Sequence, residues 1–217
     1  MSDFDRDVAV DRLEGILEAV EQETMPVPVR EVWVYGDLAL GLDPVERLDV
    51  YLTKDLLFGQ ANAEATALNE KLGVEGIGET VRTEWARDHP DEIAAAASGH
   101  VAPEQCLAAH LTEAGEPVHL EVCNASFEDN VTRRLEGALA RGSYEEILDP
   151  RGVCLWHEGT RSSEALEKLR TGEYVFPTLA EALKQLGADE QQAATAAQTL
   201  GEQRERERGV TVRGDVH

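Results

Sequence analysis

Residues 35–52 read YGDLALGLDPVERLDVYL. A strand-like run closes in Gly36-Asp37, a second glycine, Gly41, follows five residues after the first, and a second strand-like run carries one acid, Asp49. Three chemistries fit that order: the phosphate-and-metal corner of a nucleotide-transferring enzyme, the remnant of such a corner, or a plain connection in a small sheet. Further along, VHLEVC places His119, Glu121 and Cys123 on one side of a strand. Imidazole, carboxylate and thiol together could ligate zinc. Only His110, His157 and Cys154 are loosely available elsewhere, so solvent-facing polar alternation is the expected role of that strand face. Cys154 and His157 have the residue types of a thiol nucleophile and its base. No third orienting group is legible beside them, and a structural thiol is expected. The segment GVEGIG (73–78) has glycines enough for a phosphate loop but no lysine, and is expected to be a loop between short helices.

Charge bounds what such groups can meet. Asp and Glu number 43 against 20 basic residues, a net charge of −23, and lysine occurs only at Lys54, Lys71, Lys168 and Lys184. With little isoleucine and much alanine, the composition resembles that of a protein from an extreme halophile. In a salt-rich cytoplasm the Debye length shrinks to about 3 Å at 1 M, and a carboxylate surface repels itself little. A basic partner met by an acidic face is the other reading, but the acids are spread along the whole chain instead of forming a block. No basic stripe is present, so bare nucleic acid is not an expected partner. No run approaches the ~18 apolar residues of a membrane span, and the acidic N-terminus has neither the basic nor the apolar region of a secretory signal. A cytoplasmic location is expected. Cys106, Cys123 and Cys154 form no CxxC pair and offer no disulfide framework, so reduced, buried thiols are expected.

The elements that would position these groups follow from periodicity. Val8, Val10, Leu13, Ile16, Leu17 and Val20 recur helically over 5–23, and Pro26 and Pro28 end the helix. VREVWVYG is a buried strand ending at Gly36, and ERLDVYLTKD a second strand centred on Val50. Helical segments are expected at 62–72, 77–97 and 103–114. EPVHLEVCN alternates as a third strand, 127–141 is an amphipathic helix stopped by Gly142, and EEILDPRGVCLW gives a strand end, a turn and a short strand. Short helices follow at 161–169 and 178–186. The helix at 189–208 is alanine-rich and polar all round, and such a helix gains little by packing on its own chain. It is expected either to stay solvated or to dock on a protein partner through small side chains, and GVTVRGDVH to be a mobile tail.

That order of elements resembles the minimal nucleotidyltransferases, the polymerase-beta-like fold shared with aminoglycoside nucleotidyltransferases. Gly36-Asp37-Leu38-Ala39-Leu40-Gly41 is similar to the family's Gly-Ser-x-Ala-x-Gly. Leu48-Asp49-Val50-Tyr51 stands where Ser-Asp-x-Asp would, Glu121 matches the later third carboxylate, and EEILDPRGVCLW resembles the family's strand-turn-strand. The resemblance covers roughly residues 30 to 157. It implies Mg²⁺ on Asp49 and Glu121, with Asp37 or Asp43 adding an oxygen, and nucleotide phosphates against Gly36, Asp37 and Gly41. Two departures fall where that chemistry is done: Asp37 puts an anion where a donor is needed, and Tyr51 replaces the second Asp.

The expected fold is α+β: a small mixed sheet of about four strands flanked by helices over 1–158, with a helical insertion around 60–115 and a helical C-terminal extension over 159–217. The expected role is that of a degenerate nucleotidyltransferase-like domain that binds or regulates in a high-salt cytoplasm and retains affinity for nucleotide. An active Mg²⁺-dependent nucleotidyltransferase and an unrelated mixed-sheet protein-interaction domain stay open beside it.

Overall fold

The structure, a computed structural model, describes residues 4–22, 25, 28–54, 74–75, 82–83, 107, 110–112, 116–206 and 211–213. Helix α1 (Arg6–Gln22) turns Ala9, Leu13, Ile16, Leu17 and Val20 inward at the spacing of its sequence. Strand β1 (Val29–Tyr35) leads into a single helical turn, α2 (Gly36–Ala39), and β2 (Leu48–Lys54) returns beside it. A two-stranded ladder joins β3 (Val74–Glu75) to β4 (Arg82–Thr83). Then come β5 (Val118–Cys123), α3 (Phe127–Arg141), β6 (Val153–His157) and β7 (Thr160–Arg161). Helices α4 (Ser163–Thr171), α5 (Leu179–Gln185) and α6 (Glu190–Arg206) precede a last strand, β8 (Thr211–Arg213).

The chain is α+β, with a mixed sheet flanked by helices and further helices at its C-terminal end. The sheet has six strands in the order β7-β6-β1-β2-β5-β8, more than the four expected because β7 and β8 extend its edges. β2–β5 and β5–β8 are parallel and the other pairs antiparallel. One face carries Val32, Val34, Leu48, Val50, Leu52, Val118, Leu120 and Val122, packed against α1 and against Leu166 and Leu169 of α4. On the other face Tyr35, Tyr51 and Cys123 meet Phe127 and Val131 of α3 and Leu148.

Helix ends obey local chemistry. Ser126 Oγ accepts from Asp129 N at the start of α3, and Gly142 ends that helix in the left-handed region. Thr178 and Glu181 form a capping box on α5, and Asp189 with Gln192 satisfies the start of α6 in the same reciprocal way.

Several expectations are corrected. Both faces of β5 are covered: His119, Glu121 and Cys123, expected to face solvent, are as buried as Val118, Leu120 and Val122. Helix α6 packs on its own chain after all. Ala193 and Ala196 are fully buried with Leu183 of α5 and Leu135 and Ala138 of α3, because small side chains let three helices approach closely. Thr211–Arg213, within the tail expected to be mobile, pairs with His119–Glu121 of β5; the β-branched Thr211 and Val212 suit a strand. Val74–Glu75 and Arg82–Thr83 are strands where a loop and a helix were expected, since the glycines at 73, 76 and 78 disfavour helix. Tyr144–Glu146 is a 3₁₀ turn, not a strand end. The remainder of the insertion expected around 60–115 lies outside the described residues, apart from the helical Leu107, His110 and Leu111.

Candidate functional site

The parity of the three central strands gathers the chemistry on one face. Tyr35 pairs with Asp49 and Asp49 with His119; Tyr51 pairs with Glu121. Asp49, which a sheet-end position would turn outward, is fully buried, and Asp37, His119 and Glu121 are each exposed by less than a tenth.

Each of these three acids, Asp37, Asp49 and Glu121, is held by arginine. Arg47 reaches Asp49 Oδ1 through Nε at 2.7 Å and Nη2 at 2.6 Å. Arg204, near the end of α6, sets its Nη2 2.5 Å from Asp49 Oδ2 and 3.0 Å from Asp37 Oδ1. The other oxygen of Asp37 accepts the Glu46 amide at 3.0 Å. One residue of β1's exit makes this geometry possible. Gly36 stands at φ +68°, and a Cβ there would overlap Asp49 Oδ2 and lie 2.6 Å from Arg204 Nη2. On the neighbouring strand Glu121 accepts Arg134 Nη2 at 2.7 Å and lies 3.4 Å from His119 Nε2. Arg134 Nε and Nη1 are buried without a hydrogen-bond partner.

Electrostatics separate the two acids. Burial pushes the Asp49 carboxyl above its usual range, against the opposing pull of Arg204 and Arg47. Burial pushes Glu121 the same way, but the His119 and Arg134 hydrogen bonds outweigh it and bring Glu121 down to about 2. Burial, then the Glu121 and Asp49 charges, hold the Tyr35 phenol well above its ordinary value.

The groups expected to hold Mg²⁺ therefore sit in a different setting. The Asp49 carboxylate faces two guanidiniums and Glu121 a third. Tyr51, at the second acid's place, donates to Ala125 O at 2.7 Å and packs its ring edge-on to Phe127. Among the described residues no three His, Cys, Asp or Glu side chains gather to hold a metal ion. This donor set does not fit a divalent cation, because the cationic position is filled by arginine. Gly41 lies away from the corner; a Cβ there would meet Arg6 Nη2 and Gly172 O at ordinary contact distances. Cys154 and His157 are not brought together: Cys154 donates to Trp156 O, while His157 lies 3.8 Å from Glu31. Burial pushes the Cys154 thiol up to about 11, which keeps it protonated at neutral pH. Asp43 lies 3.4 Å from the Arg6 amide, at the start of α1.

Beside the corner is a cavity of about 280 Å³ between the sheet and α6. Tyr35, Arg47, His119, Glu121, Arg151 and Arg204 form its polar wall, and Leu148, Leu179, Ala197 and Leu200 its apolar one. Sequence reasoning missed Tyr35, Arg47, Arg134, Arg151 and Arg204. The parity of β1 would have placed Tyr35 beside Asp49; nothing local marks Arg204, whose neighbours alternate in charge like a solvated face.

Residues 5–217 match a family of unknown function (DUF7095). The chain belongs to that family. No curated protein and no solved structure matches it. Among the described residues no helix is long and apolar enough to cross a membrane.

Proposed function

We propose that the chain is a nucleotide-binding, regulatory domain built on a nucleotidyltransferase-like corner in which arginine stands where a divalent cation would act. One observation carries this reading: Asp49 is fully buried and clasped by Arg47 and Arg204. The left-handed Gly36 opening α2 directly after β1, with Asp49 opposite Tyr35 on the adjacent strand, supports the likeness to the corner of that fold. A carboxylate already neutralised by guanidinium recruits Mg²⁺ poorly, so the chemistry of two-metal transfer is lost while a cavity lined by arginine remains. The net charge of −23 supports a working environment rich in salt.

The test is calorimetry of ATP in molar KCl, with Mg²⁺ and with EDTA, on the wild type and on Asp49→Asn. Binding that is equal in Mg²⁺ and EDTA and persists in Asp49→Asn is expected, with no pyrophosphate released from ATP. Mg²⁺-dependent pyrophosphate release would replace this reading with an active nucleotidyltransferase. Absence of nucleotide binding in every condition would remove the nucleotide from it.

A further inference from the structure

Four carboxylates surround the cavity or lie behind its wall, and each meets a guanidinium. Asp37 and Asp49 meet Arg204 and Arg47, Glu121 meets Arg134, and Asp149 meets Arg151 through Oδ2 at 2.7 Å and Oδ1 at 2.9 Å. The site is close to neutral inside a strongly acidic protein. What it has in surplus is donors. Tyr35 is more than nine-tenths buried, lines the cavity, and its hydroxyl makes no hydrogen bond among the described residues. Arg204, also in the lining, hydrogen bonds among the described residues through Nη2 alone, which leaves its Nε and Nη1 for a ligand. The Tyr35 phenol stays protonated because burial and the two neighbouring acids oppose its ionisation, so at neutral pH it keeps an O–H to donate to a ligand.

Opposite these donors lie Leu148, Leu179, Leu200 and Ala197. We infer that the cavity is a metal-independent site for a small molecule with an oxyanion head, a carboxylate or a phosphomonoester, on a flat or apolar body. The head takes the Tyr35 O–H and the unpaired Arg204 donors; the body lies against the leucines under α6. An oxyanion supplies the acceptors these donors lack, and hydrogen bonds to an ionised group are the stronger kind. The volume suits a ligand no larger than a mononucleotide. The inference deepens the binding-domain reading above and rests on it only for the nucleotide as one of the two head-and-body combinations.

The test is calorimetry on the full chain in molar KCl and EDTA. The probes are AMP and phenylacetate, with adenosine and phenylacetamide as their uncharged counterparts, on the wild type, Tyr35→Phe and Arg204→Gln. Binding of one charged probe, no binding of its uncharged counterpart, and an affinity about tenfold weaker in Tyr35→Phe are expected, since one such hydrogen bond is worth about that factor. Tyr35→Phe removes only an oxygen that makes no hydrogen bond among the described residues, so it keeps the fold even where Arg204→Gln does not. AMP bound equally by the wild type and Tyr35→Phe would overturn the cavity assignment and leave the nucleotide-binding reading standing. Phenylacetate bound with Tyr35 dependence and AMP not bound would keep the assignment and refute the nucleotide. No binding of any probe would overturn both.

Discussion

Asp49 and Glu121 lie on neighbouring strands, both buried, yet their proton affinities move in opposite directions. Glu121 falls from the ordinary 4.5 to about 2 because its His119 and Arg134 hydrogen bonds outweigh burial. The unfolded chain then binds the proton more tightly than the folded one. The contribution is therefore full above pH 4.5 and lost as the pH falls toward 2. At about 1.4 kcal/mol per unit it amounts to roughly 3 kcal/mol. Glu121→Gln should lose stability of that order at neutral pH and flatten the acid limb of the urea-unfolding profile below pH 4.5; an unchanged acid limb would show that Glu121 titrates normally. Asp49 has the opposite sign. Burial raises its folded value, so its contribution is full below the ordinary 3.8 and lost as pH rises through the folded value. Arg204→Gln removes a charge that opposes this rise and should move the Asp49 titration, followed by carboxyl-carbon NMR, to higher pH. A titration left in place would mean that the Arg204 pair has no electrostatic weight. Both acids were legible as special in the sequence. Their partners were not, because Arg47, Arg134 and Arg204 come from three separate segments and nothing local in each marks it as buried.

Elements decide whether those residues can meet. Gly36 and Gly41 flank α2 with nearly the same left-handed backbone, φ +68° and +76°, but differ in what a side chain would encounter. At Gly41 a Cβ would meet its neighbours only at ordinary contact distance, and Gly41→Ala costs mainly the left-handed conformation, about 1 kcal/mol. At Gly36 the same substitution adds overlap with Asp49 and Arg204, so Gly36→Ala should destabilise by clearly more than Gly41→Ala in parallel urea titrations. Equal losses would mean that the guanidinium does not lie against the Gly36 backbone. Both glycines were visible from spacing alone, but only the structure separates a turn glycine from one that makes room for an ion pair. The same division runs through the helices. α1 and α3 were legible because their apolar residues recur at helical period, and Gly142 marked the end of α3. α6 has no such stripe, since its contacts with α3 and α5 are made by Ala193 and Ala196, whose small side chains give little periodic signal.

The fold-back of α6 joins the two ends of the argument about charge. It carries Arg204 to a carboxylate 155 residues earlier in the chain, so the corner exists only when the C-terminal helices are docked. The chain as a whole carries an excess of 23 negative charges. Exposed carboxylates repel one another over a Debye length of about 10 Å at 0.1 M salt and about 3 Å at 1 M, whereas buried pairs are screened far less. KCl should therefore raise the melting temperature of the wild type steadily as the surface repulsion is damped. The Glu121–Arg134 pair, each side chain only 4% exposed, should respond differently. The stability gap between wild type and Glu121→Gln should stay constant across the same salt series, because a pair this buried is screened far less than an exposed one. A gap that closes as KCl rises would place the pair in contact with solvent, and with it the polar face of the sheet. A constant gap on a rising baseline would separate the two roles of charge in this molecule: a solvated shell that depends on salt, and an arginine-filled interior that does not.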